Sequence, residues 1–245
     1  MVTVVVNKLV LGLYLSPAST WLGKLPVLPL KNDTNFGNYF GKMYQPRYLS
    51  GLAAGAMTES NKIGYVAAFP IPEVIRGINA FATGVKEVNP DATVEVVWTF
   101  TWFGPEAETQ AANALLETGV DVLAQHQDSP STGIAAEAAG AKWISYNTAY
   151  GQDAAPGAFV TAPVWDWGPY YVQVVESIVN DEFVAEAYWG GMETGLVSLY
   201  ELSSDVPADT ATLISERTEE IISGSFDPPI VEDEFIDNVI GTVNP

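Results

Sequence analysis

The feature that most constrains the fold is a regular alternation of short apolar runs and amphipathic stretches between residues 61 and 146. In the stretch Glu73–Glu87, apolar side chains recur at intervals of four, three and four residues, which is the period of one helix face. The predicted strands are 62–69, 93–101, 120–125 and 141–146, and the predicted helices are 73–87, 106–118 and 132–139. Strands and helices that alternate at this length form a parallel sheet with helices on both faces. The sequence therefore predicts an α/β fold.

The pattern continues less regularly beyond residue 158. It predicts a strand at 159–164, a helix at 170–180, an extended stretch over 185–202 that breaks at Gly190–Gly191, and a helix at 208–223. Acidic residues are frequent in the tail, residues 228–245, for which no secondary structure is predicted.

Polar and aromatic residues follow the predicted strands, and ligands of open parallel sheets bind beyond the carboxyl ends of the strands. The candidate ligand-binding residues are Trp102, Phe103, Gln127, Asp128, Asn147, Asp166, Trp167, Trp189 and Gly190. A tryptophan face stacks on a flat heterocycle. A carboxylate accepts hydrogen bonds from an amine, and an asparagine both donates and accepts them. The pattern therefore favours a site for a small organic ligand.

Each of these candidates also has a structural alternative. Asp128 precedes a predicted helix beside two serines, so it could cap that helix. The tryptophans of the loops could pack one part of the fold against another, and Trp143, inside a predicted strand, is expected in the core.

Composition excludes several classes of function. The formal charge of −20, with only 10 lysines and arginines, does not fit a nucleic-acid-binding protein, which needs a basic surface to neutralise phosphates. The chain has no cysteine and one histidine, His126, so thiolate metal sites and two-histidine metal sites are excluded. His126 could be a general base, a hydrogen-bond partner of the ligand, or a loop histidine. No motif of a nucleophile, a dinucleotide site or a metal site accompanies it, so no catalytic residue and no cofactor are predicted.

The first 30 residues differ from the rest. They contain one early lysine, an apolar run and a patch of small residues at 16–20, which loosely matches a signal peptide. The alternative is a start that does not belong to the fold. No window of about 20 uninterrupted apolar residues, as a membrane helix requires, occurs in the sequence.

Seven motifs occur in order between residues 38 and 122. They are NYFGK (38–42), RYLSGLAAG (47–55), KIGYV (62–66), IPEVIRGINAF (71–81), VNPD (88–91), TWF (101–103) and GVDV (119–122). Together they resemble the basic membrane protein (BMP) family of ABC-transporter solute-binding proteins, of the purine nucleoside receptor type. Two later motifs, DWGPYY (166–171) and WGGM (189–192), are similar to the branch associated with adenine or related purines.

The resemblance implies a type I periplasmic-binding-protein fold, with two α/β lobes that close about a hinge on a ligand between them. It implies a receptor without catalytic activity, periplasmic or extracellular, that delivers a purine to an ABC permease. The receptor would be membrane-associated through the transporter or through an anchor outside these residues. Trp102, Trp167 and Trp189 would then wall the base, and Asp128, Asn147 and Asp166 would bind it by hydrogen bonds.

The resemblance also implies a division into lobes. The first lobe would comprise 31–58 and 160–187, and the second 59–159 and 188–227, flanked by the atypical segment 1–30 and the tail 228–245. Because only 37 residues precede Asn38, the first lobe is expected to be truncated. If the truncation abolishes the receptor, a helix at 47–57 should expose an apolar surface.

Two other functions stay open at this point. One is an intracellular ligand-sensing regulatory domain of the same fold. The other is a nucleoside hydrolase that uses His126 and neighbouring acids.

Overall fold

The computed structural model describes residues 34–147 and 149–243 in full, and 2–7 and 10–15 by their backbone. The strands are β1 Val2–Asn7, β2 Val10–Leu15, β3 Phe36–Gly41, β4 Lys62–Ala67, β5 Thr93–Trp98, β6 Val122–Gln125, β7 Lys142–Ile144, β8 Phe159–Thr161, β9 Pro163–Trp165, β10 Ala187–Gly190, β11 Val197–Leu199 and β12 Val239–Ile240. The helices are α1 Tyr44–Met57, α2 Pro72–Val88, α3 Pro105–Glu117, α4 Ser131–Ala138, α5 Gly151–Ala154, α6 Gly168–Val179 and α7 Ala208–Ser223.

The largest sheet has six parallel strands in the order β12-β5-β4-β6-β7-β8. Along β4, Ile63 and Tyr65 point into the core shared with α1 and α2, whereas Val66 points into the core shared with α3 and α4. Both faces of the sheet are apolar because helices cover both. The predicted α/β fold with helices on both faces is confirmed.

The predicted helices of this region are accurate to one residue at each end, since α2, α3 and α4 begin one residue earlier than predicted. The strand β5 ends three residues before its predicted end at Thr101. Its continuation is broken at Phe100, which has a φ of 55° in the left-handed region and cannot extend a strand.

A smaller sheet has the order β10-β3-β1-β2. The strand β3 pairs parallel with β10 and antiparallel with β1, which forms a hairpin with β2. Part of the segment 1–30 therefore belongs to a sheet, unlike the expectation of a start outside the fold. The small-residue patch at 16–20 lies outside the described residues.

The sequence predicted one strand at 159–164, and the structure has two. The strand β8 pairs with β7 in the large sheet, whereas β9 forms a separate ribbon with β11. The division falls at Ala162, next to Pro163, which has no N–H to continue the ladder. The chain leaves the large sheet here and runs towards the small one.

The tail 228–245 is structured in its described part, which corrects the absence of predicted structure. The strand β12 adds to the edge of the large sheet beside β5. Asn79 of α2 holds the preceding residues, since its Nδ2 donates to the carbonyl oxygens of Val231 and Glu234, both at 2.8 Å, and its Oδ1 accepts from the N–H of Ile236. Contacts made by side chains far away in the chain leave no periodic pattern in the tail itself.

The packing crosses the predicted boundaries between lobes at two places. The helix α1, within the predicted first-lobe segment 31–58, packs along α2 of the large layer. The strand β10, mostly within the predicted second-lobe segment 188–227, pairs with β3. The helix is also covered rather than exposed, because every residue from Tyr44 to Gly55 is buried.

Candidate functional site

The candidate site lies at the carboxyl edge of the large sheet, where the parallel strands β4, β6 and β7 end side by side. The main chain already joins two of its loops, because the N–H of Asp128 donates to the carbonyl oxygen of Trp102 at 3.0 Å. The structure therefore brings together residues that follow β5, β6 and β7, as expected for ends that meet at one edge.

Asp128 and Asn147 form a pair at this edge. The Nδ2 of Asn147 donates a hydrogen bond to Oδ1 of Asp128. Asn147 has a φ of 74°, a left-handed conformation that asparagine tolerates, and its main chain bridges to Val164 in β9. Asp128 is exposed and directs its carboxylate to Asn147, while the helix α4 has no side-chain cap. The capping alternative for Asp128 therefore does not describe its contacts.

Aromatic side chains line the same edge. The ring of Trp102 packs on Phe69 at 5.2 Å and on His126 at 5.7 Å between centroids. Phe103 is 65% exposed. Gln127, by contrast, is fully buried, and its Nε2 donates to Oγ1 of Thr99 at 2.7 Å. Of the residues predicted in this loop region, Gln127 alone turns its side chain into the protein.

Asp166 and Trp167 lie at a second place, between the small sheet and α6. Trp167 stacks on Trp165 with centroids 4.6 Å apart and planes at 11°, and its ring meets the ring of Tyr39 edge-on. Oδ1 of Asp166 accepts from the N–H of Gly168 at 3.0 Å, at the start of α6. Asp166 also lines a cavity of about 370 Å³ together with Tyr188. Trp167 thus packs one part of the fold against another, which is the structural alternative given above for the tryptophans of the loops. Asp166, by contrast, faces a cavity.

Trp189 and Gly190 lie at a third place, at the end of β10. The guanidinium of Arg76 lies 5.3 Å from the centre of the Trp189 ring, and the ring of Tyr44 packs beside it. The carbonyl oxygen of Gly190 accepts from the N–H of Lys42 at 2.7 Å. The predicted site residues therefore fall in three neighbouring places rather than in one.

The sequence did not reveal a buried charged cluster beneath the first place. Arg47 of α1 is fully buried, donates to the carbonyl oxygen of Gln125 at 2.7 Å, and holds its guanidinium 3.9 Å from the centre of the Tyr146 ring. Glu73, in the first turn of α2, places Oε2 3.3 Å from Nε2 of His126. One available signal was Arg47 itself, which is the one charged residue of the helix α1.

Glu73 gives the cluster a measurable pH dependence. Burial by itself would raise the pKa of this carboxyl, but His126 first, then Arg76 and Arg47, lower it from 4.5 to about 2. A carboxyl with a depressed pKa adds stability above its unfolded-state pKa, and this contribution is lost as the pH falls through the folded-state pKa.

We expect Glu73→Gln to lower the free energy of unfolding at pH 5 by about 3 kcal/mol, the equivalent of this pKa difference. Urea denaturation, monitored by circular dichroism, measures the free energy of unfolding of the variant and of the unmodified protein. The difference between the two should become smaller as the pH falls from 4.5 to 2. Glu106 is an exposed residue of α3, so Glu106→Gln is the control: it measures how much the removal of an exposed carboxylate changes the free energy of unfolding. A difference in free energy of unfolding that stays constant over this pH range would contradict the lowered pKa of Glu73.

Within 34–147 and 149–243, no group of three histidine or acidic side chains is arranged to hold a metal ion. No helix in the described part of the chain is long and apolar enough to cross a membrane.

Comparison with solved structures defines the fold. A solute-binding protein of an ABC transporter from Aeropyrum pernix superposes with a TM-score of 0.70 at 17% identity, over 83% of this chain and 68% of that one. A corresponding protein from Conexibacter woesei gives a TM-score of 0.66 at 24% identity, over 82% and 67% of the two chains. The fold is that of type I periplasmic binding proteins.

Comparison with curated sequences defines the family. The model of PnrA-like ABC transporter substrate-binding proteins, Bmp, matches residues 29–227. A Haloferax volcanii protein, TsgA13, is named as a putative glucose-binding protein of an ABC transporter. It is 45% identical over 79% of this chain and 49% of its own length. A purine-binding protein of Brucella abortus is 34% identical over 88% of this chain and 63% of its own. The chain thus spans about half to two-thirds of these relatives, and it belongs to the Bmp family of PnrA-like ABC transporter substrate-binding proteins.

Proposed function

We propose that this chain is the ligand-binding part of a solute-binding protein for an ABC importer, and that its ligand is adenine or a purine nucleoside. The observation that carries the proposal is the carboxyl edge of the large sheet. There the main chain of Trp102 accepts from the N–H of Asp128, the ring of Trp102 packs on His126, and the side chain of Asp128 accepts from Asn147. A purine base needs an aromatic surface on its face and hydrogen-bond groups at its rim.

The chemistry of the edge suits a purine in particular. The carboxylate of Asp128 can accept a hydrogen bond from an amino group or a ring N–H, and Asn147 offers both a donor and an acceptor. The acidic character of the chain, with a formal charge of −20, suits a neutral base better than an anionic ligand. The Brucella relative, named as purine-binding, supports the same ligand class.

The proposal includes the setting of the protein. The small sheet with α6 would belong to one lobe and the large sheet to the other, and closure of the cleft between them would signal occupancy to the permease. Such a receptor works on the outer side of the membrane, in the periplasm or outside the cell, and its partners are the ligand and the transporter.

Glucose is a second candidate, because the Haloferax relative is the more similar of the two and its name assigns it this sugar. Aromatic rings also pack on sugar faces, and carboxylates and amides also bind hydroxyl groups. The two ligand classes are therefore compared in one experiment.

Calorimetric titration of the purified protein with adenine, adenosine, ribose and glucose tests the proposal. We expect saturable binding of a purine and no saturation with either sugar. Asp128→Asn should weaken purine binding about tenfold, because the hydrogen bond to the ligand loses its charged acceptor and the added amide group is a donor. Asp91→Asn removes an exposed carboxylate at the opposite edge of the sheet, next to the start of β5, and should leave the affinity unchanged.

Saturation with glucose alone would replace the purine by the second candidate. Folded protein, confirmed by circular dichroism, that binds none of the four compounds would overturn the proposal.

A further inference from the structure

His126 lies at this edge, and its contacts indicate which group of the ligand it would bind. The inference rests on the proposed function and deepens it. From the geometry of its two ring nitrogens we infer that His126 determines ligand specificity, with Nδ1 accepting a hydrogen bond from an N–H group of the purine. The Nε2 atom faces Glu73 and the Nδ1 atom has no partner among the described residues.

His126 is held rigidly. It follows β6 directly, its side chain is 3% exposed, and its main-chain N–H donates to the carbonyl oxygen of Val66 at 3.0 Å. The ring lies between two aromatic side chains, with centroids 4.9 Å from Tyr146 and 5.7 Å from Trp102. A ring fixed in this way presents its nitrogens in set directions.

Glu73 decides which nitrogen carries the proton. Its Oε2 lies 3.3 Å from Nε2 of His126, and an ionised carboxylate can only accept. The proton of the neutral imidazole is therefore on Nε2, which leaves a lone pair on Nδ1. Arg76 and Arg47 add positive charge near the same carboxylate, which keeps it in the ionised, accepting form.

The Nδ1 atom is a buried acceptor with no donor in the part of the chain that the structure describes. Buried polar atoms in native proteins have a partner in the great majority of cases, so one without a protein partner at a ligand edge indicates a ligand donor. The neighbouring rings favour a flat heterocycle, whose N–H groups lie in the plane of the ring. Trp102 is the partly exposed member of the surrounding rings, so we expect the ligand to displace it from His126.

The chain contains a single histidine, so nitrogen-15 labelling of histidine gives ring signals that belong to His126 alone. Long-range proton–nitrogen correlation spectra of the free protein should show the proton on Nε2. On titration with adenine, the Nδ1 signal should move in the direction of an accepted hydrogen bond. A proton on Nδ1, a doubly protonated ring, or an Nδ1 signal that does not move at saturation would overturn the inference.

Affinities for three purines give a second measurement. Adenine carries an amino group and a ring N–H, purine lacks the amino group, and 9-methyladenine lacks the ring N–H. We expect the wild type to lose about tenfold in affinity when the group that donates to Nδ1 is absent. His126→Phe should abolish this difference, whereas His126→Gln, whose amide both donates to Glu73 and accepts, should retain it.

The outcomes separate the inference from the proposed function. If the wild type binds adenine but all three proteins discriminate among the purines by the same factor, His126 has no role in specificity and the proposed function stands. If the folded wild type binds no purine, the proposed function itself fails. Thermal melting of each variant shows that it is folded, and the spectra of the wild type do not depend on any substitution.

Discussion

Replacing Trp143 by alanine is expected to lower the free energy of unfolding by about 4 kcal/mol, which would be one of the largest effects of any single change in this chain. Trp143 in β7 is fully buried in the core between the large sheet and α3 and α4. Its Nε1 donates to Oε1 of Gln125 at 3.0 Å, so the substitution opens a cavity and also leaves a buried amide oxygen without its donor.

Urea denaturation measures this effect, and Trp98→Ala is the matched control. Trp98 in β5 is only partly buried, stacks on Phe235 at 6.2 Å, and donates to the carbonyl oxygen of Thr242. Its removal should cost clearly less than the removal of Trp143. Equal losses in the two variants would show that the core around β7 is not packed as described.

Gly84→Ala is expected to destabilise the protein by about 3 kcal/mol, at the upper end of what overpacking costs. A Cβ at Gly84 would lie 2.1 Å from the carbonyl oxygen of Tyr48, and one at Gly51 would lie 2.0 Å from the carbonyl oxygen of Phe81. The main chains of α1 and α2 therefore touch where the two helices pack. A methyl group there can be accommodated only if the helices move apart, because main-chain atoms cannot rotate away as a side chain does.

Gly77→Ala on the same helix is the control for this prediction. Its Cβ would lie 3.8 Å from Cγ of Arg47, which is an ordinary contact, and alanine favours the helix over glycine. We expect a melting temperature for Gly84→Ala about 10 °C below that of the unmodified protein, and no decrease for Gly77→Ala. Equal melting temperatures for Gly84→Ala and Gly77→Ala would contradict the close contact between the helices.

Much of the fold followed from local patterns. The α/β alternation, the bounds of α2, α3 and α4, and the end of α7 at Gly224, which has a φ of 74°, depend on side chains a few residues apart. Asp128, Asn147 and Trp102 were also predicted to meet, because the carboxyl ends of parallel strands share one edge.

Other parts could not be predicted in this way. The cluster of Glu73, His126 and Arg47 joins α2, β6 and α1, and nothing in the neighbourhood of any one of these residues indicates the other two. The roles of Gln127 and Trp167 were also undetermined, since burial of Gln127 and stacking of Trp167 depend on which surface meets them in three dimensions.

The sequence by itself determined the layered α/β architecture and the edge at which we propose that a ligand binds, because apolar periodicity is a local property and parallel strands must end together. Only the tertiary structure decided that the tail is tied to α2 through Asn79, and that Glu73 faces His126 while Nδ1 has no partner within residues 34–147 and 149–243. The physical reason is that hydrogen bonds and ion pairs between distant parts of the chain depend on the packing of whole elements. No spacing of residues along the chain records that packing.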